Sequence, residues 1–215
     1  MSQLKTQVPT DTWIPATWDE FVHASNDPND GQVKAYYHNG QMRIESMAAL
    51  GNPHSRDHGV VIGFIFLVAG ILELDIDVHD NCTYRKTGSL EVQPDASFYV
   101  GENVDAIPWE AKIIDLDIYP PPDLVIEVAD SSIADDKGDK RLLYEALGVR
   151  EYWIVDVQKM SVLAFAIVNQ GSYKITQSQV LAGLEISVLE EAFRLSREMN
   201  HGKVSTWLLK QFQSS

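Results

Sequence analysis

The sequence predicts a mixed α/β domain, with helices flanking a central mixed β-sheet. Three observations carry that expectation. Asn39-Gly40 separates two strand-like segments, a strong tight-turn signal. The run 124–129, Leu-Val-Ile-Glu-Val-Ala, is nearly continuous apolar sequence with one acid inside, the pattern of a central strand. Two helical segments, 56–72 and 135–147, alternate with further strand-like runs.

Taken in order, residues 1–30 read as an irregular arm with Pro9, Pro15 and Pro28, packed onto the body by Trp13 and Trp18. Thr17-Trp18-Asp19-Glu20 is a helix start capped by Thr17, running to Ala24. Segments 33–37 and 42–45 form the hairpin. After Gly51-Asn52-Pro53, Ser55 is the expected N-cap of a helix over 56–72, with Asp57 in its first turn. That helix is apolar nearly all round and so should be buried on most sides. Strands are expected at 75–79, 92–100 and 124–129, with an insertion at 101–122 that ends in three prolines. The helix over 135–147 closes at Gly148. Strands at 151–156, 160–167 and 173–177 follow, then helices at 189–197 and 204–212. The organisation expected is an arm (1–30), one globular domain (31–190) and a helical extension (191–215).

Composition narrows the class. Of 215 residues, 45% are hydrophobic and 22% charged, which excludes a disordered chain, a collagen and a coiled coil. The longest charge-free apolar run, 59–72, is too short to span a bilayer. The first ten residues lack the apolar core of an export signal. The single cysteine, Cys82, offers neither an internal disulfide nor a thiolate cluster. A cytoplasmic location without membrane association is the expectation. The net charge of −14 argues against wrapping nucleic acid over the whole surface. It leaves room for a local basic cleft, or for an acidic site reversed by bound metal.

The chemistry concentrates at three places: Pro94-Asp95, Glu127 within the apolar run, and Lys140 on the helix that follows. A carboxylate buried mid-strand needs a partner or a shifted pKa. Two such acids on adjacent strands repel unless a cation lies between them. Mg²⁺ takes one or two carboxylates plus waters. Asp95 and Glu127 therefore point to a Mg²⁺ or Mn²⁺ site, with the Val128 carbonyl as a third ligand. Metal-bound water is a competent nucleophile near neutral pH. An ammonium such as Lys140 can orient it and stabilise charge growing on phosphorus.

Pro94-Asp95 followed by Glu127-Val128-Ala129 resembles the P-D…(D/E)-x-K nuclease signature, with Ala129 where that pattern has lysine. The stretch 122–132, then Asp139-Lys140-Arg141 and Tyr144, then Gly148-Val149-Arg150-Glu151-Tyr152-Trp153-Ile154-Val155-Asp156, resembles the Uma-type family of putative restriction endonucleases, abundant in cyanobacteria. The resemblance spans roughly 33–189. It implies a restriction-endonuclease-like core, metal-dependent nuclease activity and a lysine supplied by the next helix. Ala129 shares the face of Glu127, because side chains two apart on a strand do, and its small size leaves room for the Lys140 amine. His58 matches a histidine common at the start of the family's first long helix, with His54 a weaker candidate.

Each residue alone has a plainer explanation. Asp95 suits a strand end, Lys140 an exposed pair with Asp136 at i−4, and His58 a helix start. The three acids and the histidine of Asp75, Asp77, His79 and Asp80 alternate with apolar residues as a half-exposed strand does. Arg85-Lys86 is weak evidence for phosphate contact, and Asp115, Asp117 and Asp123 suit solvated or turn positions. Together and in order, Asp95, Glu127 and Lys140 favour an endonuclease acting on DNA, with His58 auxiliary and a two-fold dimer expected from the need to cut both strands. Two rivals stay open: a non-catalytic module binding nucleic acid or protein, and a metal-dependent hydrolase of a small phosphoester.

Overall fold

In chain order the elements are β1 (Ile14–Pro15), α1 (Trp18–Ser25), β2 (Val33–His38), β3 (Gln41–Ser46), α2 (Asn52–Ile71), β4 (Ile76–Asp80), β5 (Tyr84–Lys86), β6 (Leu90–Val92), β7 (Ala96–Val100), a 3₁₀ turn (Gly101–Asn103), β8 (Ile114–Asp115), β9 (Leu124–Ala129), α3 (Ile133–Lys137), α4 (Asp139–Leu147), β10 (Glu151–Asp156), β11 (Ser161–Val168), β12 (Gly171–Ile175), α5 (Ile186–Glu198) and α6 (His201–Gln213). The computed structural model describes residues 8–26, 33–46, 51–129 and 132–213. Residues 1–7 and 27–30 of the expected arm, and Asp130-Ser131, lie outside them.

The α/β class holds, but the strands divide between two six-stranded sheets. One runs β1-β3-β2-β6-β5-β8 and the other β12-β11-β10-β9-β7-β4. In the second, β9 and β10 are parallel while β7 runs antiparallel to β9. The expected strand over 92–100 breaks at Gln93-Pro94-Asp95. There the chain leaves one sheet at Val92 and enters the other at Ala96. Pro94 has no N–H to give a ladder, so the crossing costs no pairing at that residue.

Strand β9 shows how the core divides. Leu124, Ile126 and Val128 pack with α2, α5 and α6 residues such as Val61, Ile65, Leu189 and Leu208. Val125 and Ala129 face the other way, with Tyr36, Tyr84, Leu143 and Tyr144. The hairpin and α1 enclose a third cluster of Phe21, Ala35, Tyr37, Met42 and Ile44. Alternation along β9 therefore directs Glu127 toward the first sheet and α4.

Local chemistry explains the boundaries. Thr17 caps α1 through a capping box with Glu20. Asn39 and Gly40 both take positive φ, 50° and 72°, as the tight hairpin turn requires. Helix α2 starts at Asn52, four residues before the expected start. Gly51 is its N-cap, and Pro53 sits in the first turn, where a missing N–H costs nothing. Ser55 is therefore inside the helix, and Asp57 is not in its first turn but buried against Arg197 of α5. The early start also puts His54 and His58 one turn apart on one helix. The helix expected over 135–147 is broken at Gly138 into α3 and α4. A Cβ there would come 3.2 Å from the Ala134 carbonyl.

Gly148 ends α4 with φ 82°, and no heavy atom would meet a Cβ added there within 4 Å. Gly148→Ala should then cost backbone strain alone, about 1 kcal/mol. A urea midpoint unchanged by the substitution would contradict this.

Candidate active site

Asp95 lies at the crossing between the sheets, one residue before β7. The β7–β9 register pairs Ala96 with Ile126 and Ser97 with Val125. One step further, Asp95 falls opposite Glu127. Opposed residues of an antiparallel pair share a face, so the two acids point to the same side. The hairpin faces them. Lys34 is opposed to Glu45 and Tyr36 to Arg43, while Ala35 pairs with Ile44 and Tyr37 with Met42. The apolar set covers α1, and the polar set, Lys34, Tyr36, Arg43 and Glu45, lies on the opposite face, toward the two acids.

The three predicted residues are nearly closed off from solvent: Asp95 is 7% exposed, Glu127 3% and Lys140 2%. Helix α4 delivers Lys140 as expected. Its Nζ lies 3.1 Å from Glu45 Oε1, 3.3 Å from Asp136 Oδ1 and 3.7 Å from Glu127 Oε2. It also sits 4.5 Å from the centre of the Tyr36 ring. One turn along α4, the Tyr144 hydroxyl donates to Glu127 Oε1 at 2.6 Å. The Lys140–Asp136 pair anticipated for an exposed helix face does form, but buried and shared with two further carboxylates.

Asp95 is held from several sides. Lys34 Nζ contacts its Oδ1 directly. The Val128 N–H donates to Oδ2 at 2.7 Å, and His54 Nε2 lies 3.7 Å from that oxygen. His58 Nε2 contacts the Asp95 main-chain oxygen at 3.1 Å and Asp80 Oδ1 at 3.4 Å. His58 thus supports the main chain of Asp95 and does not touch its carboxylate.

The charges are unequal. Five acids (Glu45, Asp95, Glu127, Asp135, Asp136) surround three bases (Lys34, Arg43, Lys140), so the cluster carries 3 − 5 = −2 in fully ionised form. Arg43 joins Glu45 at 2.8 Å and Asp135 at 3.4 Å. Burial would raise the Asp95 carboxyl, but His54, Lys34 and the Val128 N–H hold it far below the usual range. Glu127 goes the other way, pushed up to about 8 by burial, against the pull of Lys140, with Asp95 and Asp136 adding repulsion. Burial works against the Lys140 ammonium, but Glu127, Tyr36, Asp136 and Glu45 hold it well above the ordinary lysine value. The two partners differ because Lys140 is shared. Three carboxylates claim it, Glu127 from the greatest distance, and so Glu127 keeps its proton.

That shift sets a pH dependence. Below pH 4.5 folded and unfolded chains both hold the Glu127 proton. Between 4.5 and about 8 only the folded chain holds it, so stability falls as pH rises through this window. Glu127→Gln removes the liability. In EDTA it should match the parent near pH 5 and exceed it near pH 9 by on the order of a few kcal/mol. A melting difference constant from pH 5 to 9 would contradict the assignment.

Among the described residues, no three acidic, histidine or cysteine side chains converge as a ready metal cluster. Mg²⁺ does not require one, since one or two carboxylates complete its shell with waters and substrate oxygens. A buried acid pair in a cluster two charges short of neutrality, one member with its carboxyl pushed up to about 8 chiefly by burial, fits that demand. Lys34, Glu45 and Tyr36 have no role in the sequence reading, and Asp136 only that of an exposed partner of Lys140. The available signal was period two: Lys34 and Tyr36 alternate with Ala35 and Tyr37, but a hairpin usually turns such a face to water.

The other acids are structural or peripheral. Asp123 is buried and accepts from the Val100 N–H at 2.9 Å and from Asn103 at 3.3 Å. Asp77 and Asp80 are exposed on the edge strand β4, Asp117 lies exposed in the insertion, and Arg85 pairs with Glu91.

A family model described as Uma2, putative restriction endonuclease, matches residues 18–213. The chain belongs to this family. The Uma2 match extends past both ends of the 33–189 stretch that carried the resemblance, and takes in α5 and α6. No curated protein matches. A solved structure, a putative nuclease of the DUF820 group from Anabaena variabilis, superposes with a TM-score of 0.55 at 18% identity. The alignment covers 82% of this Uma2 chain and 98% of that one. At that identity the likeness shows a shared fold. No helix among the described residues is long and apolar enough to cross a membrane.

Proposed function

We propose that the chain is a metal-dependent endonuclease that hydrolyses DNA phosphodiester bonds by direct attack of activated water, without a covalent enzyme intermediate. The observation that carries this reading is the site's geometry: Asp95 stands one residue beyond the β7–β9 ladder, in line with Glu127 and bonded to the neighbouring Val128 N–H, with Lys140 Nζ 3.7 Å from Glu127. Asp95, Glu127 and the Val128 carbonyl would hold Mg²⁺ or Mn²⁺. When bound, the metal supplies a Lewis acid and lowers the pKa of its water. Lys140, kept cationic by its carboxylates, places fixed positive charge where phosphorane charge grows. Tyr144 fixes one oxygen of Glu127, and His58 fixes the main chain that carries Asp95. Family membership supports a nuclease, and Mg²⁺, DNA and a two-fold dimer complete the proposal.

Purified protein should nick supercoiled plasmid in Mg²⁺ or Mn²⁺ and stop in EDTA. A folded protein that cuts neither duplex nor single-stranded DNA with either metal would overturn the reading.

One observation favours a non-catalytic module on this scaffold: each acid already has a lysine of the same chain beside it, Lys34 on Asp95 and Lys140 at 3.7 Å from Glu127. That reading predicts nucleic-acid or protein binding indifferent to EDTA and to Glu127→Gln.

A further inference from the structure

Resting on the reading of Asp95 as a metal ligand, we propose that Lys34 is a resident counter-ion of Asp95, which a divalent cation must displace in order to bind. Lys34 is remote in sequence and belongs to the other sheet, yet its ammonium is buried directly on Asp95 Oδ1. The second oxygen is also engaged, by the Val128 N–H at 2.7 Å and His54 at 3.7 Å. A cation therefore meets no Asp95 oxygen without a partner, and at Oδ1 it meets a like charge. Of these partners, the Val128 N–H is fixed in the backbone of β9. Lys34 carries its charge on a flexible four-carbon stem, and its departure leaves the sheet intact; His54 stands further off, at 3.7 Å, on the other oxygen. A cation that takes its place also takes over its electrostatic task, because a buried carboxylate stripped of its partner is costly.

Lys34 thus has two effects of opposite sign. It stabilises the metal-free fold by neutralising Asp95, and it weakens metal binding by occupying the same oxygen. Lys34→Gln keeps a hydrogen-bond donor of similar shape but removes the charge. Lys34→Arg keeps the charge and grips a carboxylate with a planar fork.

Mn²⁺ titration followed by electron paramagnetic resonance, with melting in EDTA and in Mn²⁺, tests this on the full chain. Lys34→Gln should bind Mn²⁺ about 10- to 100-fold more tightly than the parent, the range expected when a charge-assisted hydrogen bond no longer has to be broken. It should melt lower in EDTA and gain more from Mn²⁺. Folding that requires Mn²⁺ and is not restored by sodium chloride would be the same result in stronger form. Lys34→Arg should bind no more tightly than the parent, and it decides the matter if the glutamine variant folds under neither condition. Asp95→Asn should remove binding in every background. If binding depends on Asp95 but Lys34→Gln is no tighter than the parent, or Lys34→Arg is tighter, the counter-ion role is overturned and the metal site stands. If neither parent nor Lys34→Gln binds Mn²⁺, the metal site itself is overturned.

Discussion

Glu127→Ala is expected to reduce plasmid nicking in Mg²⁺ or Mn²⁺ by at least about a hundredfold. Glu127 lies at the centre of β9, buried, opposite Asp95, with Tyr144 on one oxygen and Lys140 near the other. No backbone group replaces what its carboxylate offers a cation. The protein should stay folded, because the same substitution removes a group that burial holds up to about 8 and that weakens the fold as pH rises. Stability and activity are thus expected to separate: little loss of melting temperature near pH 8 alongside a large loss of cutting. Nicking that survives Glu127→Ala would remove this residue from the chemistry.

Lys140→Ala is expected to produce the largest loss of stability, about 3–5 kcal/mol, since it leaves buried acids without their ammonium. Glu45, Asp136 and Glu127 all lie within 3.7 Å of its Nζ. The loss should shrink as pH falls toward 5, where these acids can take up protons instead. Denaturant midpoints at pH 5 and 8 check both the size and the direction. Cutting should also disappear. Ala129 offers a partial rescue: it is buried on the same face as Glu127, two residues along, so Ala129→Lys in the Lys140→Ala background brings an amine back to that side. Normal cutting by Lys140→Ala would show that the migrated-lysine role is wrong.

Much of this was legible in the residues because each signal was local. The turn at Asn39-Gly40, the capping box at Thr17 and the αL cap at Gly148 each depend on a few neighbouring residues. The acid within 124–129 stood out against its aliphatic neighbours, and its placement opposite Asp95 followed from two adjacent strands. The features that escaped depend on the third dimension. Pro94 reads as a residue within one strand, although the chain changes sheets there. Gly51-Asn52-Pro53 reads as a loop, although Pro53 is also at home in a helix's first turn. Lys34 and Glu45 alternate as exposed hairpin residues do, and only the packing of the hairpin's polar face over β9 makes them part of the site. His58, expected only as an auxiliary residue at the start of a helix, lies beside Asp95, and its contact is to the Asp95 backbone, a distinction no side-chain pattern encodes.

A crystal soaked in Mn²⁺, with anomalous diffraction recorded at the manganese edge, bears most directly on whether Asp95 and Glu127 share a cation. The expected map has one anomalous peak between the two carboxylates, with Lys34 moved off Asp95. Full manganese loading with no peak there, and with Lys34 still seated on Asp95 and Lys140 beside Glu127, would contradict it.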